Sequence, residues 1–378
     1  MLYCEKCGQK VTEEALLWRC ECGGALVCDD TEFCFSPNPE FTGIWRYSSS
    51  LPVACPESPV TLGEGMTPLT ECTWDYGAGK TAVKCKFDAL SPTGSYKDRG
   101  IAVQITRLRE LGLKKLVEDS SGNAGAAMAA YSAAAGIECD IYVPDYTSEG
   151  KCLQIASYGA NLRRIPGTRE ATTAAAEKAA ESVYYASHNW NPYFSQGIKT
   201  YAFEIFEQYS GKVPDNIIVP AGQGSLVKGA WKGFSEIVRA GKASRVPRIF
   251  GVQSANCAPL YEAWINEENR PRIINKKETV AEGIASATPV QGEAVIKTVR
   301  ESGGAFAAVT EKEIWNAFGQ LSLTGFYVEP TSAAAFAGLT VFLGNGTIKT
   351  NEYTVVFLSG SGLKATDKIM QLRANPPE

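Results

Sequence analysis

The sequence predicts an α/β protein, with two αβα domains on parallel or mixed sheets and a small cysteine-bearing module in front of them. Three observations predict it. The chain has 378 residues, 44% of them hydrophobic, which is more than one core holds, so two domains are expected. From Lys80 onward, short apolar runs of strand type alternate with Ala-rich runs of helical type. That alternation is the pattern of βαβ units and largely parallel sheets with helices on both faces. Four of the twelve cysteines, Cys4, Cys7, Cys20 and Cys22, crowd the N-terminal end.

The elements follow in order. Residues 1–30 read as the module: Cys4-Glu-Lys-Cys7, then Cys20-Glu-Cys22-Gly23-Gly24. Residues 31–85 read as a linker and elements joining the larger domain. Within them 35–59, with prolines, serines and little periodicity, is a connecting segment. A smaller domain is expected over 86–190, entered from a strand at 83–87. Its helices fall at 96–111, 124–135, 150–157 and 170–182, between strands at 116–119, 139–143 and 162–165. The larger domain, 191–378, carries strands at 216–219, 249–252 and 353–358 and helices at 227–240, 311–323 and 332–343. In such folds ligands bind beyond the carboxyl ends of the strands.

Composition removes several function classes. A net charge of -4 with 21% charged residues and no basic cluster gives no nucleic-acid footprint. No apolar run reaches bilayer length, and the N-terminus lacks a signal-peptide pattern, so a cytoplasmic protein with no membrane partner is expected. Cys85, Cys139 and Cys152 stand singly in apolar stretches, as small buried hydrophobes of a reduced compartment do. There is one histidine, His188, which excludes any mechanism or metal site needing two. A chain this long with one histidine is expected to borrow its chemistry from a cofactor.

Four motifs sit where strands end. Ser91-Pro-Thr-Gly-Ser-Tyr-Lys97-Asp-Arg-Gly100 lies between a strand and a helix, and Lys97 opens the helix. The positive end of the helix dipole disfavours an ammonium there and helps the lysine act as a neutral amine or imine nitrogen. An ordinary solvated turn flanked by Asp98 and Arg99 is the alternative. Ser120-Ser121-Gly122-Asn123 precedes a helix, and its side chains and amides suit an anionic or phenolic oxygen, with a plain N-cap as the alternative. Pro220-Ala-Gly222-Gln223-Gly224-Ser225-Leu226 lets backbone N–H groups converge on a phosphate. It has neither the Walker spacing nor the dinucleotide fingerprint, so a nucleotide is not the expected owner of that phosphate. Leu358-Ser359-Gly-Ser361-Gly362 offers a hydroxyl that can hydrogen-bond a ring nitrogen without protonating it.

In order and phase these motifs resemble the fold-type II pyridoxal-phosphate enzymes, the tryptophan synthase β-subunit group, and within it the threonine synthases most closely. Further matching pieces are Gly63-Glu-Gly-Met-Thr-Pro-Leu69, Asn191-Pro192, Gly251-Val-Gln253, Glu282-Gly-Ile-Ala285 and Glu329-Pro-Thr-Ser-Ala-Ala334. The resemblance implies pyridoxal 5'-phosphate as cofactor and Lys97 as the catalytic residue, bonding it as an imine and shuttling protons. It implies Asn123 on the cofactor's 3′ oxygen, Gly222, Gln223, Gly224, Ser225 and Leu226 as its phosphate cup, and Ser359 facing the pyridine nitrogen. On the substrate side it implies Ser91, Thr93, Ser95, Ser120, Ser121, Gly122 and Lys199. The implied reaction is replacement of phosphate in O-phosphohomoserine by water, in a cytoplasmic homodimer.

The sequence departs from that family on the substrate side. Phe194 stands where an arginine often helps to hold the substrate's phosphate, Ser91 where an asparagine is common, and Ser361 where a histidine is frequent. Lys151, Arg163 and Lys199 are candidate replacement cations. Alternatives are therefore β-replacement on phosphoserine or another activated serine, as in cysteate synthase-like relatives, and a serine or threonine dehydratase. A non-catalytic scaffold whose module binds protein or nucleic acid is a reading of another class, but a scaffold has no need of Lys97. The module resembles a zinc ribbon: Cys4-x2-Cys7 and Cys20-x-Cys22 form two close thiol pairs able to close a tetrahedral S4 site, with Cys28 in reserve and degenerate free thiols as the alternative. The zinc would be structural, because a closed S4 site has no open position.

Overall fold

The computed structural model describes every residue except Asp30, Glu32 and Glu378, so the boundary expected after residue 30 falls beside residues outside the described set. At the N-terminus Leu2–Cys4 (β1) pairs antiparallel with Lys10–Val11 (β2) and with Leu26–Cys28 (β3). Short turns of 3-10 helix at Gly43–Ser50 follow, with Ile44, Trp45 and Tyr47 buried. The apolar side chains of this segment bury it despite its lack of periodicity. Glu64 helps hold it, accepting from Trp45 Nε1 at 2.7 Å, from Tyr131 Oη at 2.7 Å and from the Leu62 amide at 3.0 Å.

The chain divides into two units. The first comprises residues 1–65, 91–93 and 97–200, and the second 66–90, 94–96 and 201–378. Leu69–Asp75 (β4) and Lys80–Phe87 (β5), both of the second unit, come next in the chain. The first unit resumes with Lys97–Glu110 (α1), Lys115–Glu118 (β6), Asn123–Ala135 (α2), Glu138–Pro144 (β7) and Glu149–Ser157 (α3). Asn161–Ile165 (β8), Arg169–Ala179 (α4), Tyr184–Tyr185 (β9) and Phe194–Ile198 (α5) complete it. Its sheet runs β8-β7-β6-β9, all parallel. α2 is buried from Ala124 to Ser132 because its alanines let the helix lie close on its neighbours.

The second unit continues with Thr200–Gln208 (α6), all but its first residue, then Asn216–Pro220 (β10), Ser225–Arg239 (α7), Arg248–Ser254 (β11), Pro259–Ile265 (α8) and Gly292–Glu301 (α9). Phe306–Val309 (β12), Glu311–Leu323 (α10), Pro330–Gly344 (α11), Thr354–Leu358 (β13) and Thr366–Ala374 (α12) close it. Its sheet has the order β12-β11-β10-β13-β5-β4, parallel except for the antiparallel edge pair β4–β5. The edge strand β4 alternates polar residues with the buried Cys72 and Trp74, and Trp74 packs on Phe336 of α11 at 4.6 Å between ring centroids. α11 is apolar on nearly all sides and buried from Pro330 to Leu339, as a central helix must be. Lys86 is buried, and its ammonium is satisfied by Glu204 at 2.6 Å, Thr67 O at 2.8 Å and Gln208 at 3.0 Å. Glu204 also accepts from the Met66 amide at 2.8 Å, which fixes the start of the second unit. Lone removal of either charge would strand the other without water.

Candidate active site

In the second unit, register alone brings three of the four motifs together. β13 pairs in parallel with β10 on one side and with β5 on the other. The three strands therefore end side by side, and the segments leaving them are neighbours. Gly94–Tyr96, beyond β5, is hydrogen-bonded along the turn after β13: Tyr96 N donates to Ser359 O at 3.0 Å, and Ser361 N donates to Gly94 O at 2.9 Å. Tyr96 also reaches the glycine turn beyond β10, its hydroxyl lying 3.0 Å from Ser225 Oγ.

That glycine turn has the form of an anion cradle. Gly224 precedes α7 at φ 81, a left-handed conformation that disfavours any side chain, and no side chain caps the helix. A Cβ on Gly222 would press on Ile284, and one on Gly224 would enter Val295, so the turn stays bare backbone. Gln223 is engaged elsewhere, donating to Ser286 Oγ at 2.8 Å and accepting from the Val290 amide at 2.8 Å. It braces the cup rather than lining it with a charge. Ser95, fully buried, has an Oγ with no partner among the described residues.

Ser359 is 1% exposed, and its hydroxyl lies 3.1 Å from that of Ser332 on α11. Ser332 Oγ accepts from the amides of Ser359 at 2.9 Å and Gly360 at 3.1 Å. Ser332 Oγ also donates to Gly360 O at 3.4 Å, so Ser332 ties the turn after β13 together and holds the Ser359 hydroxyl in place. Ser332 was quoted in the sequence only as part of a matching piece. Its control of Ser359 depends on the fold, because 27 residues separate the two.

In the first unit Lys97 is the first residue of α1. Its neighbours do not form a solvated turn. Asp98 is buried and accepts from Thr93 N at 2.7 Å and Thr93 Oγ1 at 2.5 Å, and Arg99 is buried against Thr200 Oγ1 at 3.2 Å. Thr93 is thus committed to shaping the turn, with Gln154 of α3 donating to its carbonyl at 3.2 Å. Ser91 is buried, and its Oγ has no partner among the described residues. Beyond β6, Ser120–Gly122 leads into α2 with Gly122 in the capping position and no side chain spent on capping. Ser120 Oγ accepts from Gly122 N at 3.4 Å. Asn123 opens α2, so Ser120, Ser121 and Asn123 all stand at a helix start that its capping residue does not cap with a side chain.

Beside this turn lies His188. β9 pairs with β6, so the residues after β9 run along Glu118 and Asp119. Glu118 is wholly buried and accepts from His188 N at 3.1 Å and Asp119 N at 3.0 Å, with His188 Nδ1 at 3.4 Å. Burial raises the Glu118 carboxyl above its usual range. Burial, and then the charge of Lys97, hold His188 well below its usual value, so the ring is neutral.

The candidate cations are dispersed. Lys199 is fully buried with its Nζ 4.4 Å from the centroid of Phe33. Arg163 pairs with Asp140 at 3.6 Å on the exposed β8 edge, and Lys151 lies in the first turn of α3. Phe194 is 2% exposed and packs on Gly100 of α1, 5.3 Å from Lys97 Nζ.

The four N-terminal thiols form a cluster whose Sγ atoms all lie within 4.8 Å of one another. Cys4 and Cys22 are 3.5 Å apart, and Cys7 and Cys20 are 3.7 Å apart. Burial pushes the Cys4 thiol up, but the backbone amides of Cys7 and Lys6 and the neighbouring thiols bring it down to about 7. Cys28 is not in the cluster and donates to Pro192 O at 3.5 Å.

A parallel sheet whose strand ends carry a bare glycine cup and a buried neutral hydroxyl, in a chain with a helix-opening lysine, defines a class. The sequence profile described as "Pyridoxal-phosphate dependent enzyme" matches residues 60–360, and the chain belongs to that family. A threonine synthase of Methanocaldococcus jannaschii is 34% identical over 99% of this chain and 95% of its own length. A threonine synthase of a Synechocystis species is 35% identical over 88% of this chain and 86% of its own. Among solved structures, an L-serine ammonia-lyase from Rhizomucor miehei superposes with a TM-score of 0.69 at 21% identity, over 82% of this chain and 98% of its own. Maize serine racemase gives 0.68 at 20% identity, over 82% of this chain and 92% of its own. These two similarities establish the fold.

Proposed function

We propose that this protein is a threonine synthase, converting O-phosphohomoserine and water to threonine and phosphate. The observation that carries this reading is similarity at 34% identity along 99% of the chain to an enzyme of that name. The residues fit pyridoxal 5'-phosphate: the bare Gly222–Gly224 backbone before α7 suits its phosphate, and the buried neutral hydroxyl of Ser359, held by Ser332, suits an unprotonated pyridine nitrogen. When bound, the cofactor supplies an electron sink that makes protons on the substrate's α and β carbons removable.

The chain's own residues do the rest. Lys97 holds the cofactor and moves the protons at the α and β carbons. Gly222, Gln223, Gly224, Ser225 and Leu226 bind the cofactor's phosphate, and Asn123 hydrogen-bonds its 3′ oxygen. Ser359, a hydroxyl rather than a carboxylate, leaves the ring nitrogen without a proton and moderates the sink, which favours elimination and replacement over transamination. Ser120, Ser121 and Gly122 receive the substrate's α-carboxylate on hydroxyls and amides at the start of α2. Ser91 and Ser95 bring buried hydroxyls to the substrate side, with Thr93 shaping their turn. Lys199, turned onto Phe33, sets the packing behind α5 before it binds any substrate group.

The thiol cluster holds structural zinc. Thiolates about 2.3 Å from a tetrahedral ion stand about 3.8 Å apart, and the two close pairs here approach that spacing. None of the twelve cysteines, all of them among the described residues, is in a disulfide, in keeping with a cytoplasmic setting, and the resemblance carries a homodimer.

A second reading, β-replacement on phosphoserine, is favoured by Phe194, which is buried and lends the substrate phosphate no charge. The deciding comparison is kcat/KM for O-phosphohomoserine against O-phosphoserine, with threonine and phosphate both quantified. Threonine formed in step with phosphate is expected. Phosphate release from phosphoserine alone would replace the first reading with the second.

A further inference from the structure

We infer that Phe194 is a positioning residue for Lys97, the face of its ring fixing the lysine amine while His188 braces the ring. This rests on the proposal that Lys97 is the amine that moves the reaction's protons. The ring centroid lies 5.3 Å from Lys97 Nζ, within the range over which an aromatic face attracts an ammonium. Phe194 is 2% exposed and Lys97 is half-buried, so water screens that attraction only in part.

The fold holds the ring in this place from several sides. Helices α1 and α5 cross where Gly100 meets Phe194 and Gly197 meets the backbone of Arg99, and a side chain on either glycine would drive the helices apart. His188 meets Phe194 edge to face at 5.4 Å and 68°. The histidine is in turn fixed by Glu118, through its backbone amide at 3.1 Å and near its ring nitrogen at 3.4 Å. The two residues before Phe194 are pinned by the N-terminal module: Pro192 O accepts from Cys28 Sγ at 3.5 Å, and Tyr193 Oη donates to Glu13 at 3.2 Å.

A ring is suited to this task where a carboxylate is not. A buried carboxylate beside the amine would hold it charged and in one place. The quadrupole of a ring holds an ammonium more weakly and lets the neutral amine leave and return. An arginine at position 194 would instead bury a second cation near Lys97, so the phenylalanine and its neutral histidine brace form one set.

The test replaces Phe194 in the holoenzyme with ring-fluorinated phenylalanines, which weaken the quadrupole at nearly constant shape, and with leucine. Two quantities are read: kcat and KM, and the rate at which trinitrobenzenesulfonate labels Lys97 in the apoprotein, resolved by peptide mass spectrometry. Loss of the cation attraction is expected to lower kcat by roughly two- to thirty-fold with KM little changed, and to speed labelling of Lys97. Each added fluorine should move both quantities further. If Phe194→Leu does not fold, the fluorinated series still decides, since it keeps the packing. A flat series in both readouts overturns the positioning role. Borohydride reduction of the parent holoenzyme separates this from the underlying proposal: a label on a peptide other than that of Lys97 sinks the assignment of Lys97, whereas a label on Lys97 with a flat series sinks Phe194 alone.

Discussion

Under the proposed function two residues concentrate the chemistry, and each has its own expected outcome. Lys97 opens α1 between neighbours that are themselves buried and bonded, so truncating it removes an amine and leaves the turn standing. Lys97→Ala should fold normally, retain a similar melting temperature and lose roughly 10²–10⁴-fold or more in kcat, the range over which a positioned proton carrier contributes. Steady-state kinetics and thermal melts of the two proteins check this. Ser359 is held against Ser332, whose hydroxyl lies 3.1 Å from its own and accepts from the amides of Ser359 and Gly360. Ser359→Ala should weaken cofactor binding by about 1 kcal/mol, about fivefold in Kd, measured by titration of the apoprotein. Ser359→Asp places a carboxylate beside Ser332 in a buried site, and by holding a proton on the ring nitrogen it should slow replacement and raise side transamination. A variant Ser359→Asp indistinguishable from the parent in both would remove Ser359 from the ring.

At the scale of elements, function depends on how helices begin and cross. The start of α7 has the form of a cup because Gly224 is left-handed and carries no side chain. Gly224→Ala combines an unfavourable φ with a clash on Val295, so a stability loss of about 1–3 kcal/mol and poorer retention of cofactor are expected, read by urea melts and by cofactor content after dialysis. The far end of α1 is tied to the N-terminal module through Glu13. Its carboxylate accepts from Arg107 Nε at 2.8 Å and from the chain's terminal ammonium at 3.0 Å. Burial raises the Glu13 carboxyl, but those two donors more than offset it, and its pKa lies below the ordinary value. A depressed carboxylate stabilises the fold above its unfolded pKa, near 4.3, and loses that contribution as pH falls through the folded value. Glu13→Gln should therefore lower stability by about 1 kcal/mol at pH near 7, and the gap from the parent should close as melts are repeated down through about pH 4.

At the scale of the whole molecule, the module is a working part of the first unit. Cys28 and Glu13 reach residues 192–193, so deleting residues 1–28 should lower the melting temperature and also slow turnover through the neighbouring Phe194. Close to one equivalent of zinc is expected in metal-replete protein by elemental analysis, and a strong chelator should lower the melting temperature. Less than half an equivalent would mean a ribbon of free thiols.

The sequence by itself determined the alternation of strands and helices, the positions of the four motifs at strand ends, and the spacing of the cysteine pairs. Those features are local: period, turn residues and spacing are written in consecutive residues. The helix expected at 311–323 coincides with α10, and that expected at 124–135 matches α2 to within a residue. The edge strand β4, the short β12 and the helices α8 and α9 were not individually legible: β12 and α8 are too short to show a period, and β4 and α9 mix their apolar residues with polar ones, so all take their meaning from the sheet they complete. Only the tertiary structure decided what each motif residue touches. Parallel register put the ends of β5, β10 and β13 side by side, and so set Tyr96 against Ser225. Packing of α11 under β13 set the Ser332 hydroxyl against that of Ser359. The glycine crossing of α1 and α5 buried Phe194 beside Lys97, where the sequence had marked only a missing arginine. Contacts between residues far apart in the chain depend on which surfaces pack, and packing is settled by the burial of the whole core, which no stretch of sequence states alone.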